Sequence, residues 1–199
     1  MTVPIALIIF RLLLAPIILI LAYYFKYQSN IIIVVLMYLG LLSDIFDGII
    51  ARKQGLSTEK LRRLDSQVDL VFWLSIGIAT WILSPELIKT HRFAIISIIV
   101  LEALCYTISF IKFKKETCTH AFLSKLWGIS LLIAFTSIIG FGHAGIAFKV
   151  SIILGIISQL DVVLILLILK NWTHDIPSAY HAYLIRNHIP FKKNRFLNS

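Results

Sequence analysis

Long apolar stretches recur along the whole chain and are separated by short polar segments. A transmembrane helix needs about 20 consecutive, mostly apolar residues. Six stretches approach that length, at roughly 4–25, 30–51, 66–84, 92–111, 126–142 and 147–169. They are too long and continuous for barrel strands, and only helices or closed barrels satisfy backbone hydrogen bonds in lipid. The pattern therefore predicts an all-α integral membrane bundle of six transmembrane helices.

Composition supports a membrane protein without a separate soluble domain. The 199 residues are 59% hydrophobic, with a mean hydropathy of +0.90, which soluble domains seldom reach. The connections between the apolar stretches are short. We therefore predict one six-helix membrane domain over 1–170, followed by a basic cytoplasmic or interfacial tail over 171–199.

The basic residues indicate the orientation in the membrane. Most of the 19 Lys and Arg residues fall after the second and fourth predicted helices, in the tail, and at Arg11. Cytoplasmic segments carry such an excess, so both termini are expected in the cytoplasm. The net charge of +9 fits contact with anionic membrane lipids rather than nucleic acid. The compact form fits the cytoplasmic membrane of a bacterium.

Four aspartates occur in two pairs around the loop after the second predicted helix. Asp44 and Asp47 are three residues apart, and Asp65 and Asp69 are four apart. On helices, each spacing places both carboxylates on one face. Two facing pairs would form an oxygen-rich site suited to Mg²⁺ or Mn²⁺. Four clustered negative charges beside a bilayer require a strong cationic partner, and the segment lies at the predicted cytoplasmic side.

The same segment resembles the motif of the CDP-alcohol phosphatidyltransferases, DxxDGxxAR-x8-GxxxDxxxD. It matches from Asp44 to Asp69 at every fixed position except one, where the second Gly is Leu61. Arg11, four residues and Pro16 in the first predicted helix extend the resemblance. The resemblance implies an enzyme of phospholipid biosynthesis. A CDP-linked lipid, usually CDP-diacylglycerol, donates its phosphatidyl group to an alcohol, and CMP leaves.

The resemblance also assigns roles to residues. It implies a site for two metal ions, Mg²⁺ or Mn²⁺, whose ligands are Asp44, Asp47, Asp65 and Asp69, with Asp69 also the general base. The donor nucleotide would contact Asp44 and the small residues Gly48 and Ala51, which permit close approach. Arg52 offers planar donors for a phosphate or pyrimidine edge. The further donor contacts expected are Ser57, Thr58 and Leu61.

Leu61 leaves three interpretations open. Its side chain should narrow the slot that the family Gly leaves for the cytidine. The enzyme then either binds the base in a shifted pose, or uses another nucleotide or donor, or has lost activity.

The acceptor alcohol also stays open. Phosphatidylglycerophosphate synthases of this family usually carry Pro, Ala and Lys where this chain has Ser66, Val68 and Leu70. Glycerol-3-phosphate is one candidate beside inositol phosphate, serine, another phosphatidyl lipid or a less common alcohol. Lys125 is a candidate contact for an acceptor phosphate. Arg11 is also a candidate acceptor contact, through a phosphate, and otherwise either partners the aspartates or reaches toward the interface.

Several residues have a structural interpretation as well as a functional one. Glu102 and Asp161 lie within predicted membrane helices and are either site residues or hydrogen-bonded structural residues. Cys105 and Cys118 are predicted to be free thiols. Ser151 and Gly155 are spaced for close helix packing, which is also compatible with a homodimer.

Two other classes of function remain. An intramembrane prenyltransferase also uses paired Asp-rich motifs with Mg²⁺, but CMP as a product would exclude it. The other class is a non-catalytic cation-binding or transport protein, which would not explain the presence of Gly48, Ala51 and Arg52.

Overall fold

The computed structural model describes residues 2–56, 58–117, 119 and 121–190. Within these ranges the regular structure is helical, and six helices are long and apolar enough to cross a membrane. The predicted all-α architecture with six membrane helices is confirmed, while the cytoplasmic placement of the termini stays a prediction.

The helices are labelled in chain order. They are α1 Val3–Tyr24, α2 Asn30–Lys53, α3 Glu59–Leu83, α4 Pro85–Thr90, α5 Arg92–Phe113, α6 Phe122–Phe135, α7 Ile146–Ile168 and α8 Ala179–Arg186. A 3-10 turn, Lys26–Ser29, precedes α2, and a π-helical turn, Thr136–Gly140, extends α6. With 6 and 8 residues, α4 and α8 are too short to span a bilayer.

The third membrane helix begins earlier than its apolar stretch. It starts at Glu59 rather than near 66, and Thr58 caps it by accepting a hydrogen bond from the Leu61 N–H at 3.3 Å. Its first two turns are polar on one side, so a search for continuous apolar residues misses them. The basic residues expected in the loop before it therefore lie in helices, Arg52 and Lys53 in α2 and Lys60, Arg62 and Arg63 in α3.

The chain forms two compact units. The first consists of Met1–His91 with Leu132–Phe148. Here α1 packs along both α2 and α3, which touch each other much less. The buried core of this unit includes Ile18, Met37, Phe72 and Ile76. Because α1 joins α2 to α3, a residue on α1 can reach side chains on both.

The second unit consists of Arg92–Leu131 with Lys149–Ser199. Its buried core contains residues of α5 and α7 together with Ile176 and Ala182 from the C-terminal segment. The Ile176 N–H donates to the Thr119 carbonyl at 2.7 Å. The carbonyls at the end of α7 accept from the Lys112 ammonium at 2.8 and 2.9 Å and from the Arg186 guanidinium at 3.1 Å. Cations at a helix C-terminus stabilise it, so residues up to Arg186 are folded into this unit.

Gly155 brings α7 close to its neighbours in the second unit. A Cβ at this position would lie 2.6 Å from Trp127 Nε1 and 2.7 Å from Ile98 Cδ1. The predicted close packing at Gly155 thus occurs within the chain, and a homodimer stays a prediction.

The acids within the second unit have hydrogen-bond donors. Gln159 Nε2 donates to Glu102, and the Cys105 thiol donates to Gln159 Oε1 at 3.2 Å. Asp161 accepts from the Ala179 N–H at 3.0 Å, at the start of α8. These contacts favour the structural interpretation of both acids. Cys105 is a free, buried thiol as predicted, and Cys118 lies outside the described residues.

Candidate active site

Two aspartate pairs from α2 and α3 converge in the first unit. Asp44 and Asp47 face inward from the end of α2, and Asp65 and Asp69 from the first half of α3. Asp47 and Asp65 are buried, whereas the side chains of Asp44 and Asp69 keep 33% and 28% exposure. The cluster therefore has a closed inner side and an accessible outer side, which a reaction with entering substrates requires.

Arg11 lies at the centre of this cluster. Its Nη1 donates to Asp44 at 2.9 Å and to Asp65 at 3.2 Å, and it also contacts Asp69. Its Nη2 contacts Asp47 and donates to Asp65 at 3.2 Å. The residue is 1% exposed. Arg11 is therefore a partner of the aspartates, and its buried side chain does not reach toward the membrane interface.

The donor set suits a divalent cation. Asp44, Asp47 and Asp65 each offer an oxygen, and these ligand atoms lie within 4.8 Å of one another. Carboxylate oxygens are the ligands that Mg²⁺ and Mn²⁺ prefer. Three of the four predicted ligands therefore form a set that fits one cation, and the second metal ion stays a prediction.

The residues expected to bind the donor nucleotide lie beside the aspartates. Gly48 and Ala51 are buried on α2. Arg52 Nη1 lies 3.3 Å from the place that a Cβ on Gly48 would occupy. The missing side chain at Gly48 thus makes room for the Arg52 guanidinium one turn later. Ala51 and Arg52 keep their predicted roles as expectations.

The loop and the start of α3 carry the remaining donor candidates. Thr58 caps α3 through its hydroxyl, and Leu61 is half-buried in the first turn. Ser57 lies outside the described residues. Lys125, the candidate acceptor contact, lies in the first turn of α6 in the second unit.

Arg62 belongs to this region although the sequence pattern did not single it out. It is 5% exposed, and its charge attracts that of Asp47. Its position three residues before Asp65 on α3 places both on one helix face. The spacing between Arg62 and Asp65 could have revealed this position. The predicted helix began only near residue 66, however, which left Arg62 in a loop.

Comparison with known families agrees with the fold and the acidic cluster. The family model described as CDP-alcohol phosphatidyltransferase matches residues 1–170. The chain belongs to the CDP-alcohol phosphatidyltransferase family. Neither the comparison with curated proteins nor that with solved structures gives a match. Membership supports an integral membrane enzyme of phosphatidyl transfer in phospholipid synthesis, acting on a CDP-alcohol donor and an alcohol acceptor.

Proposed function

We propose that this protein transfers the phosphatidyl group of CDP-diacylglycerol to a polar alcohol and releases CMP, in a reaction that depends on Mg²⁺ or Mn²⁺. The observation that carries the proposal is the convergence of Asp44, Asp47 and Asp65 within 4.8 Å. The four aspartates and the Gly48–Arg52 segment occupy the motif positions of a family whose model covers 1–170.

The aspartates divide into two roles. Asp44, Asp47 and Asp65 would hold the cation, and Asp69 would share in holding a second one. Such cations neutralise pyrophosphate charge and stabilise the attacking and leaving oxygens. Asp69 is the proposed general base because it occupies the position of the last Asp in the family motif, and its partly exposed side chain is accessible to an acceptor. It accepts the proton of the acceptor hydroxyl while that oxygen attacks the phosphatidyl phosphorus. The bond to the CMP oxygen breaks, and CMP carries away the electron pair.

Arginines beside the cluster are suited to the donor phosphates. Arg52 lies over Gly48, with Ala51 adjacent and buried. A guanidinium binds phosphate oxygens through parallel hydrogen bonds. Arg62 on α3 is buried, its charge attracts that of Asp47, and it provides a second guanidinium in this region. We therefore propose Asp44, Gly48, Ala51 and Arg52 as donor-binding residues, with Thr58, Leu61 and Ser57 at the entrance.

The acceptor is proposed to enter from the cytoplasm, where the positive-inside rule places the aspartates, while the donor's acyl chains stay in the bilayer. Glycerol-3-phosphate is the first acceptor to test, and Lys125 is proposed to contact its phosphate. We also propose that the protein lies in the cytoplasmic membrane of a bacterium and that it forms a homodimer.

The test is CMP release by the purified protein given CDP-diacylglycerol. The reaction is run with Mg²⁺, with Mn²⁺ or with chelator, against glycerol-3-phosphate, inositol phosphate, serine and a phosphatidyl lipid. We expect metal-dependent CMP release with one acceptor and none from an Asp47→Asn variant. Absence of CMP with every acceptor, from folded protein that binds metal, would contradict the proposal and direct attention to Leu61.

A further inference from the structure

We infer that Arg11 is a cation held inside the aspartate cluster and competes with divalent cations for the same carboxylates. The inference rests on the proposed function, since it concerns the metal that the reaction requires. It makes Arg11 a positioning residue that acts through the aspartates and controls how tightly they bind a cation.

The inference is supported first by the carboxylates that the Arg11 guanidinium and a metal ion would share. Asp44, Asp47 and Asp65 are the three carboxylates grouped closely enough for one metal ion. Each of the three is also bonded to Arg11, at 2.9 Å for Asp44 and 3.2 Å for Asp65. A divalent cation bound to these carboxylates attracts their negative charge and repels the neighbouring guanidinium. Binding of the metal ion therefore weakens the contacts of Arg11.

The second support is how Arg11 is held. Its hydrogen bonds to the described residues come from Nη1 and Nη2, and all go to the four aspartates. Its Nε is buried and has no hydrogen-bond partner within the described part of the chain. The guanidinium is therefore held by the carboxylates themselves and not by a separate socket. A stronger cation at the carboxylates can displace it.

The third support is the position of α1. It packs against both α2 and α3, and these two helices contact each other much less. Four carboxylates repel one another in the absence of a cation. Arg11 offsets this repulsion from α1, which packs along both helices that carry the aspartates. It thus keeps the cluster assembled before metal arrives, at the cost of weaker metal binding.

The experiment measures Mn²⁺ binding directly in detergent-solubilised full-length protein. The EPR signal of free Mn²⁺ gives the dissociation constant and the number of ions bound, without CDP-diacylglycerol. The proteins are wild type, Arg11→Gln, Arg11→Lys and the control Arg92→Gln. Arg92 is exposed at the start of α5, over the Phe93 ring, so its change tests the loss of a cation elsewhere.

We expect Arg11→Gln to bind Mn²⁺ about tenfold or more tightly than wild type, since it removes a cation adjacent to the site. Arg11→Lys keeps the charge but lacks the fork that reaches several carboxylates, so its affinity should lie between the two. Arg92→Gln should match wild type. A purely structural role for Arg11 would lower thermal stability without tightening Mn²⁺ binding.

Unchanged or weaker Mn²⁺ binding by the Arg11 variants overturns the inference that Arg11 competes with divalent cations. If Arg11→Gln does not fold, Arg11→Lys decides alone, because tighter binding is expected there too. Mn²⁺ binding by a variant but not by wild type supports the inference in its strongest form. Absence of Mn²⁺ binding in all four proteins overturns the inference and the metal dependence in the proposed function. Wild-type binding without a difference between variants overturns the inference alone.

Discussion

The ring of Phe72 occupies the space beside Gly40 that any other residue would fill with a side chain. A Cβ on Gly40 would overlap Phe72 Cζ and lie 2.7 Å from Cε2. Gly40 precedes Asp44 by one helical turn, and Phe72 follows Asp69 by three residues. Phe72 is 1% exposed. This contact therefore fixes the spacing of α2 and α3 next to both aspartate pairs.

Gly40→Ala should damage stability and activity together. Cβ and the ring cannot share the space, so either Phe72 leaves its rotamer or α2 and α3 separate. Overpacking of this kind costs about 1–3 kcal/mol. We expect a lower melting temperature in detergent and a loss of CMP release, because the carboxylates move apart.

Gly77→Ala is the matched control for this substitution. Gly77 lies on the same helix as Phe72, and among the described residues nothing beyond its own stretch of helix lies within 4 Å of the Cβ that alanine would add. Alanine improves helix propensity by about 1 kcal/mol over glycine, so this variant should be at least as stable as wild type. Wild-type behaviour of Gly40→Ala would show that the Phe72 contact does not determine the spacing.

Leu61→Gly should keep or raise affinity for the CDP-linked lipid. Leu61 is half-buried in the first turn of α3, where the family has Gly, and removing its side chain widens the approach to the aspartates. The measurement is binding of CDP-diacylglycerol, by titration of tryptophan fluorescence or by calorimetry. A large loss of affinity would mean that Leu61 makes a donor contact of its own.

The helix start complicates Leu61→Gly and calls for a second variant. The Leu61 N–H bonds to the capping hydroxyl of Thr58, and glycine in this turn costs about 1 kcal/mol of helix stability. Leu61→Ala removes most of the side chain without that cost. If the alanine variant gains affinity and the glycine variant does not, the difference comes from fraying of α3.

The fold was predictable because the bilayer restricts the choice of structure. Apolar stretches near the spanning length must be helices, and all six were located from the sequence. The start of α3 at Glu59 was not predicted, since Thr58 and the polar first turns define it rather than hydropathy. The fold of the C-terminal segment was also missed. Its docking depends on single residues such as Ile176, which no periodic pattern marks.

The candidate site was predictable as far as helix periodicity reaches. The spacings within α2 and α3 placed each aspartate pair on one face. A partnership of Arg11 with the aspartates was one of the interpretations left open, and the choice between them depends on how α1 packs along the two helices, which residue spacing does not show. Arg62 was missed for the related reason that the start of its helix was placed too late.

Gln159→Leu should destabilise the second unit without removing activity. Gln159 donates to Glu102 within the membrane and accepts from the Cys105 thiol at 3.2 Å. Leucine leaves a carboxylate and a thiol without these partners, which costs about 1–3 kcal/mol. We expect a lower melting temperature and CMP release per folded molecule close to wild type. Gln28→Leu, at an exposed position of the 3-10 turn, should change neither quantity.

Glu102→Gln separates the structural role of Glu102 from a catalytic one. An amide oxygen still accepts the hydrogen bond of Gln159, so the network survives while the negative charge is lost. We expect nearly normal stability and CMP release. If this variant folds but releases no CMP, Glu102 belongs to the site and the structural interpretation is wrong.

Asp69→Asn should abolish turnover while the fold and binding of the donor persist. An amide cannot accept the proton of the acceptor hydroxyl, and loss of a general base lowers turnover by about 100-fold or more. Arg11 keeps Asp44, Asp47 and Asp65 as partners, so the helices stay joined and the melting temperature should change little. Glu86→Gln, an exposed carboxylate-to-amide change on α4, should leave CMP release intact. Full activity of Asp69→Asn would remove Asp69 from the role of base and leave it as a ligand or a partner of Arg11.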